Sequence, residues 1–177
     1  MRKERIQVIL LCEDKQQKSF VYILLKKKGL KIGNLRVNHT PLGTGSGEKY
    51  VRKLFTQELK YYRSRRANAV FITMIDGDTI GINGRIQQLQ QECEREQIAF
   101  RRENEAVMIA VPTRNIETWI HFQNGNEVDE LTSYPKLDKP SDCQSAVDKL
   151  VEMCNNKEPI IGCPSLDAAC QEYRLVL

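Results

Sequence analysis

The chain of 177 residues has only two histidines, and its six cysteines include no Cys-x-x-Cys pair. Both absences argue against a zinc site, which uses such ligands at short spacings. No apolar run approaches the roughly 20 residues that cross a bilayer. Charge returns soon after the first apolar stretch, so we expect neither a signal peptide nor a membrane anchor. Reduced, mostly buried thiols in a cytoplasmic protein are the simpler interpretation of the cysteines.

The composition is that of an ordinary globular protein. Hydrophobic residues make up 41% of the chain and charged residues 28%, which excludes collagen-like, fibrous and disordered classes. The net charge of +4 conceals a division: residues 1–66 carry 17 Lys and Arg against 5 Asp and Glu, whereas residues 67–177 carry 10 against 18. This asymmetry suits a protein that attracts a polyanion with one surface, unless the fold interleaves the two halves.

Apolar segments alternate with helical patterns along most of the chain. Short apolar runs predict strands at residues 6–12, 35–40, 69–75 and 106–111. Apolar spacings of three and four predict a helix that ends at Gly29, and further helices at about 48–66, 82–97 and 115–122. The alternation predicts an α/β fold with a mostly parallel, four-stranded sheet and helices on both faces.

The C-terminal part is less regular. Residues 124–142 are polar and contain two prolines, which predicts a surface excursion. Helices at about 141–154 and 165–174 close the chain. We therefore expect one α/β domain at residues 1–123, with a loop and helical extension at residues 124–177 that packs on the same domain.

Acidic residues follow three of the predicted strands. Glu13 ends the first strand, and Asp76 and Asp78 end the third. If these strands are neighbours, the three carboxylates meet at the ligand-binding edge of the sheet, where a divalent cation such as Mg²⁺ or Mn²⁺ would relieve their repulsion. Glu117, after the fourth strand, would reach the same edge as a supporting ligand. The competing interpretation is that each acid only caps or opens a helix.

Two segments carry a resemblance to a known family. VILLCED, with Glu13, and FITMIDGD, with Asp76 and Asp78, resemble the Toprim domain, the metal-binding module of topoisomerases, bacterial primases, OLD-type nucleases and the maturases of ribosomal RNA. The resemblance covers about the first 123 residues. A later Glu-x-Trp helix, in PTRNIETWIHF with Glu117, makes the chain most similar to the small stand-alone RloB-like and OLD-associated proteins.

The resemblance implies a Mg²⁺-dependent nuclease that cleaves phosphodiester bonds in DNA or RNA. It also implies a bacterial defence or mobile-element system and an ABC-type or OLD-type ATPase as partner. Asp76 and Asp78 would hold the cation, and Glu13 would ligate it or act as general acid and base. Lys15 would stabilise charge on the scissile phosphate, or would be a solvated turn residue.

The chain departs from the family at two positions. Many relatives have Gly directly after the first Glu and an acid four residues beyond it, whereas this chain has Asp14 and Gln17. A second metal would therefore need Asp14 as its carboxylate. The departure favours the alternative function, a non-catalytic Toprim module that binds nucleic acid or a partner protein. The oligomeric state is a separate question, and the sequence leaves a homo-oligomer open.

A glycine-rich loop at residues 43–47 precedes a basic helix. Free backbone amides, the positive helix end and a lysine could together hold a phosphate there, although a plain connecting loop is the competing interpretation. With the basic helix, the loop predicts a nucleic-acid track. The predicted contacts are Gly45, Ser46, Gly47, Lys49, Arg52 and Lys53.

Overall fold

The computed structural model describes residues 5–65 and 68–177 and confirms the α/β fold. Its sheet has four strands in the order β2-β1-β3-β4, and every neighbouring pair is parallel. The strands are β1 (Ile6–Cys12), β2 (Ile32–His39), β3 (Ala69–Met74) and β4 (Val107–Ala110). The predicted first and third strands are therefore neighbours in the sheet.

Six α-helices connect or follow these strands within the described residues. They are α1 (Lys15–Lys27), α2 (Gly47–Arg63), α3 (Gly81–Arg95), α4 (Ile116–Gln123), α5 (Gln144–Asn156) and α6 (Pro164–Val176). Within residues 5–65 and 68–177, no helix is long and apolar enough to cross a membrane.

The largest differences from the sequence prediction are at three boundaries. β2 begins at Ile32, earlier than expected, because Ile32 pairs with Ile6 of β1 although polar residues follow it. α2 ends at Arg63, before the predicted end at Arg66, which lies outside the described residues. A short 3₁₀ helix, Pro140–Cys143, precedes α5, where a proline suits the first turn.

The side chains of β1 alternate between two hydrophobic cores, as period-two geometry requires. Val8 and Leu10 point into a core shared with α1, α4, α5 and α6. Ile9 and Leu11 point into a second core with α2 and α3. The sheet is therefore buried on both faces, and its ligand-binding side is the edge formed by the carboxyl ends of the strands.

The outer edge of β4 is covered by α6. The backbone N–H of Ile109 donates to Glu172 Oε2 at 3.0 Å. Arg101 donates to the same oxygen from its Nη1. A carboxylate from a helix thus occupies a backbone donor that an edge strand would otherwise leave open.

One expectation about the cysteines is wrong. Cys154 of α5 and Cys170 of α6 form a disulfide, so not all thiols are reduced. Their separation of 16 residues carries no recognisable pairing signal, and the prediction failed for that reason. The free, buried cysteines are Cys12, Cys93, Cys143 and Cys163.

Replacing Glu172 tests the protection of the β4 edge. Glu172→Ala leaves the Ile109 N–H unpaired, so we expect the free energy of unfolding to fall by about 1–3 kcal/mol in urea denaturation. Glu152→Ala, on the exposed side of α5, is the matched control and should stay within about 0.5 kcal/mol of the parent. Equal unfolding free energies for the two variants would contradict this account of the edge.

Candidate functional site

Glu13 and Asp76 lie together at the carboxyl edge of the sheet. Glu13 directly follows β1, and Asp76 lies two residues beyond the end of β3. The backbone N–H of Asp76 donates to Glu13 Oε1 at 2.6 Å. The predicted meeting of these two residues therefore occurs because β1 and β3 are parallel neighbours. We refer to Glu13, Asp76 and Asp78 as the acidic cluster.

Gln17 joins the two acids of β1 and β3. Its Nε2 donates to Asp76 Oδ1 at 2.8 Å, and its Oε1 accepts from the backbone N–H of Glu13 at 2.8 Å. Gln17 is fully buried. Asp14 is the N-cap residue of α1. Its Oδ1 accepts from the Gln17 backbone N–H at 2.9 Å. At this position, where many relatives have an acid, the Gln17 amide is uncharged. It makes hydrogen bonds to both the Glu13 backbone and the Asp76 carboxylate.

Asp78 is held by Arg85, a residue that the sequence analysis missed. Arg85 Nη2 donates to Asp78 Oδ2, and Arg85 Nε donates to the backbone oxygen of Asp76 at 2.7 Å. Its Nη1 also donates to Glu48 Oε2 at 3.2 Å, at the start of α2. Arg85 is 4% exposed. The signal in the sequence was the spacing: Arg85 lies four residues before Leu89 and eight before Cys93. This spacing places the arginine on the buried face of α3.

Asp78 itself has an unusual backbone conformation. Its φ of 44° lies in the left-handed region, where aspartate is tolerated better than most residues. Its N–H donates to the Arg114 backbone oxygen at 3.3 Å, which ties the turn after β3 to the turn after β4. One oxygen of the Asp78 carboxylate thus contacts the buried Arg85, although about half of the Asp78 side chain is exposed to solvent.

Burial and the charges of neighbouring acids raise the pKa values of Glu13 and Asp76. Burial, then the charges of Asp78 and Asp14, raises the pKa of Glu13 to about 7, against a lowering effect from the Asp76 N–H. Burial and then the nearby Glu13, Asp14 and Glu117 raise the pKa of Asp76 well above its ordinary range. Arg85 and Gln17 therefore compensate only part of the negative charge.

Glu117 lies in the first turn of α4, close enough to raise the pKa of Asp76. It is 3% exposed, and its Oε1 has no hydrogen-bond partner among the described residues. Burial, and then the charge of Asp14, raises the pKa of the Glu117 carboxyl. An unpaired buried carboxylate oxygen is costly and is therefore a mark of a binding or catalytic site.

The expected metal ligands do not form a ready coordination sphere. In residues 5–65 and 68–177, no group of three or more His, Cys, Asp or Glu side chains is arranged to hold a metal ion. Asp78 is paired with Arg85, and Asp76 accepts from Gln17. The donor chemistry of the acidic cluster suits Mg²⁺, but a cation would first have to displace Arg85 from Asp78.

The glycine-rich loop lies directly against Glu13. A Cβ atom at Gly47 would stand 2.7 Å from Glu13 Oε2 and 2.8 Å from Glu13 Cβ, so only glycine fits between α2 and this carboxylate. Ser46 is the N-cap residue of α2 but makes no capping hydrogen bond through its side chain, and Gly45 has a φ of 99°. Lys49 is exposed in the first turn of α2.

The basic helix is partly neutralised by its own Glu48 and by acids from the other half of the chain. Arg52 Nε donates to Glu48 Oε2 at 2.7 Å and its Nη1 donates to Glu92 Oε1 at 3.3 Å. Arg63 makes two hydrogen bonds to Glu105, at 2.6 and 2.9 Å. The fold therefore interleaves the two charged halves. Of the predicted cationic contacts, Lys49 and Lys53 remain exposed, while Arg52 is held in ion pairs.

Compared with family models, curated proteins and solved structures, the chain has no match. The Toprim assignment therefore stays a prediction based on the motifs around Glu13, Asp76 and Asp78.

The raised pKa of Glu13 predicts a pH-dependent stability. The folded protein holds this proton more tightly than the unfolded chain, whose ordinary value is 4.5. The resulting stability is present below that value and is lost as the pH rises through about 7. In EDTA, we expect the thermal midpoint to fall between about pH 5 and about pH 8, and Glu13→Gln to flatten the decline.

Glu103→Gln is the control for this measurement, because Glu103 is exposed and distant in sequence from the acidic cluster. It should leave the decline unchanged. A parent midpoint that rises over the same pH range would show that the acids at this edge are not destabilised by burial.

Proposed function

We propose that the chain is a Mg²⁺-dependent nuclease of the Toprim type, which cleaves phosphodiester bonds in DNA or RNA. The observation that carries the proposal is the acidic cluster, in which Glu13 and Asp76 follow neighbouring parallel strands, share one edge of the sheet and have pKa values that are raised first by burial and then by neighbouring carboxylates. A cation of high charge is the natural counterion for such a group.

In this proposal Glu13, Asp76 and Asp78 hold the ion. A bound Mg²⁺ would neutralise phosphoryl oxygens and favour deprotonation of the attacking oxygen. Gln17 keeps Asp76 oriented, and Glu13 either ligates or moves the proton. Lys15, exposed next to Asp14, would stabilise charge on the scissile phosphate.

The glycine-rich loop supports the same function from the other side of Glu13. The N-terminus of α2, with Gly47 packed on Glu13 and Lys49 exposed, would bind the backbone phosphates that flank the cut. A bacterial defence or mobile-element setting, a cytoplasmic location and an ATPase partner belong to the proposal only through the resemblance to RloB-like and OLD-associated proteins.

Neutralising one ligand tests the nuclease. Asp76→Asn keeps an oxygen that can accept from Gln17 Nε2 but removes the charge, so Mg²⁺- or Mn²⁺-dependent cleavage of labelled DNA and RNA should fall at least about 100-fold. Glu103→Gln should cleave like the parent. Full cleavage by Asp76→Asn, with an unchanged circular dichroism spectrum, would refute the assigned site.

A second function is favoured by one observation, the occupation of the acidic cluster by the protein's own groups. Arg85 pairs with Asp78, and Gln17 stands where many relatives have an acid. Such an arrangement is stable without a metal, as in a non-catalytic Toprim module that binds nucleic acid or a protein. Lys49 and Lys53 would then carry the binding.

Salt-dependent binding separates the two functions. A non-catalytic module should bind fluorescent single- or double-stranded oligonucleotides without producing fragments, and the affinity should fall steeply with salt. Lys49→Glu with Lys53→Glu should weaken binding roughly tenfold or more, whereas the exposed Lys31→Glu, which precedes β2 at the opposite edge, should not. Time-dependent fragments that disappear in Asp76→Asn would exclude this second function.

A further inference from the structure

The two edges of the sheet differ in how their backbone is protected. α6 covers the outer edge of β4, where Glu172 accepts from the Ile109 N–H. Among the described residues, β2 at the other edge pairs only with β1. β2 is eight residues long, and none of its residues is buried. Long edge strands without cover pair readily with another strand.

The register with β1 identifies the backbone groups of β2 that point outward. The Ile6 N–H donates to the Lys31 carbonyl at 2.9 Å, so the even-numbered residues of β1 face β2. In a parallel pair, such a residue bonds to the residues before and after its partner, and the partner's own N–H and C=O point away. The outward residues are therefore Leu35, Val37 and His39, the partners of Val8, Leu10 and Cys12.

β2 lacks the usual protections of an edge strand. Within residues 5–65 and 68–177, no hydrogen bond reaches the backbone N–H or C=O groups of Leu35, Val37 and His39. β2 contains neither lysine nor proline, two residues that commonly block pairing at an edge. Its register shift lies at Gly33, next to its start, and leaves the rest of the strand regular. The outward groups are therefore available to another strand.

The regular part of β2 is suited to pairing with a second copy of itself. It is bounded by the register shift at Gly33 and by Pro41, and Val37 is at its midpoint. In an antiparallel pair centred there, Val37 lies opposite Val37 of the second copy, and Leu35 lies opposite His39 of the second copy. Each outward N–H then has an outward C=O opposite it.

The side chains fit the same register. Leu35 and Val37 are only half-buried by their own core, so pairing would remove more apolar surface from water. Arg36 would lie opposite Asn38 of the second copy, so the two guanidinium groups would not oppose each other. Arg36 is also neutralised within its own chain, because its Nε and Nη2 each donate to Glu58 at 2.8 Å.

We propose that the chain forms a homodimer in which β2 pairs antiparallel with β2 of a second copy, centred on Val37, so that one sheet runs through both copies. The two-fold axis of such a pair is perpendicular to the sheet. Both copies of α2, with the exposed Lys49 and Lys53, would therefore lie on the same face. The inference does not depend on the proposed nuclease activity.

Sedimentation velocity of the full chain over a concentration series tests the dimer. We expect a monomer–dimer equilibrium in the parent. Val37→Pro removes an N–H that the monomer does not use, a change that edge strands tolerate. Because the dimer loses the hydrogen bonds at its centre, the dissociation constant should rise at least about tenfold.

Glu103→Pro is the matched control for this variant. Glu103 is exposed and is the second residue of the turn that the Glu105 N–H closes on the Arg102 carbonyl, a position where proline is favoured. It should dimerise like the parent. A parent that stays monomeric at every concentration would overturn the proposal. Parent-like dimerisation of Val37→Pro, with an unchanged circular dichroism spectrum, would overturn it as well.

Amide hydrogen exchange of the parent decides the question even if Val37→Pro does not fold. The N–H groups of Arg36 and Asn38 face β1 and should be protected at every concentration. The N–H groups of Leu35, Val37 and His39 should exchange fast in the monomer and at least about tenfold more slowly at concentrations where the dimer forms. A dimer that leaves these three amides in fast exchange would show that the copies associate through another surface.

Discussion

The organisation of the candidate site depends on one hydrogen bond, from the Asp76 N–H to Glu13 Oε1. It joins the ends of the two central strands and brings a second carboxylate toward the first. The desolvation of these acids must be offset by nearby donors. Gln17 of α1 donates to the Asp76 carboxylate, and Arg85 of α3 donates to Asp78. The packing of α1 and α3 against the sheet therefore places donors next to these acids.

Arg85 connects the acidic cluster to the start of α2, directly after the glycine-rich loop. Its guanidinium contacts Asp78 and Glu48, and Glu48 also accepts from Arg52 in the same helix. Buried networks of this kind are cooperative, because removing one member leaves the others unpaired. The acidic cluster and the start of α2 are therefore electrostatically coupled through Arg85 and Glu48. A change of charge at one of them, such as the binding of a metal ion or a phosphate, would alter the ion pairs of the other.

The sequence predicted the features that depend on local pattern. The buried strands followed from their apolar runs, and the convergence of Glu13 and Asp76 followed from the parallel order of β1 and β3. The ion pairs could not be predicted in this way. Arg52 meets Glu92 across 40 residues, and Arg85 pairs with an aspartate whose backbone has a left-handed φ of 44°. Pairings of this kind depend on helix packing, which residue spacing does not encode.

The disulfide between Cys154 and Cys170 has a consequence for how the C-terminal region responds to proteases. It encloses residues 155–169, which include the exposed connection between α5 and α6. A cut in that connection leaves the two pieces covalently joined. A nicked molecule would therefore migrate as an intact chain on a denaturing gel until a reductant releases the C-terminal fragment.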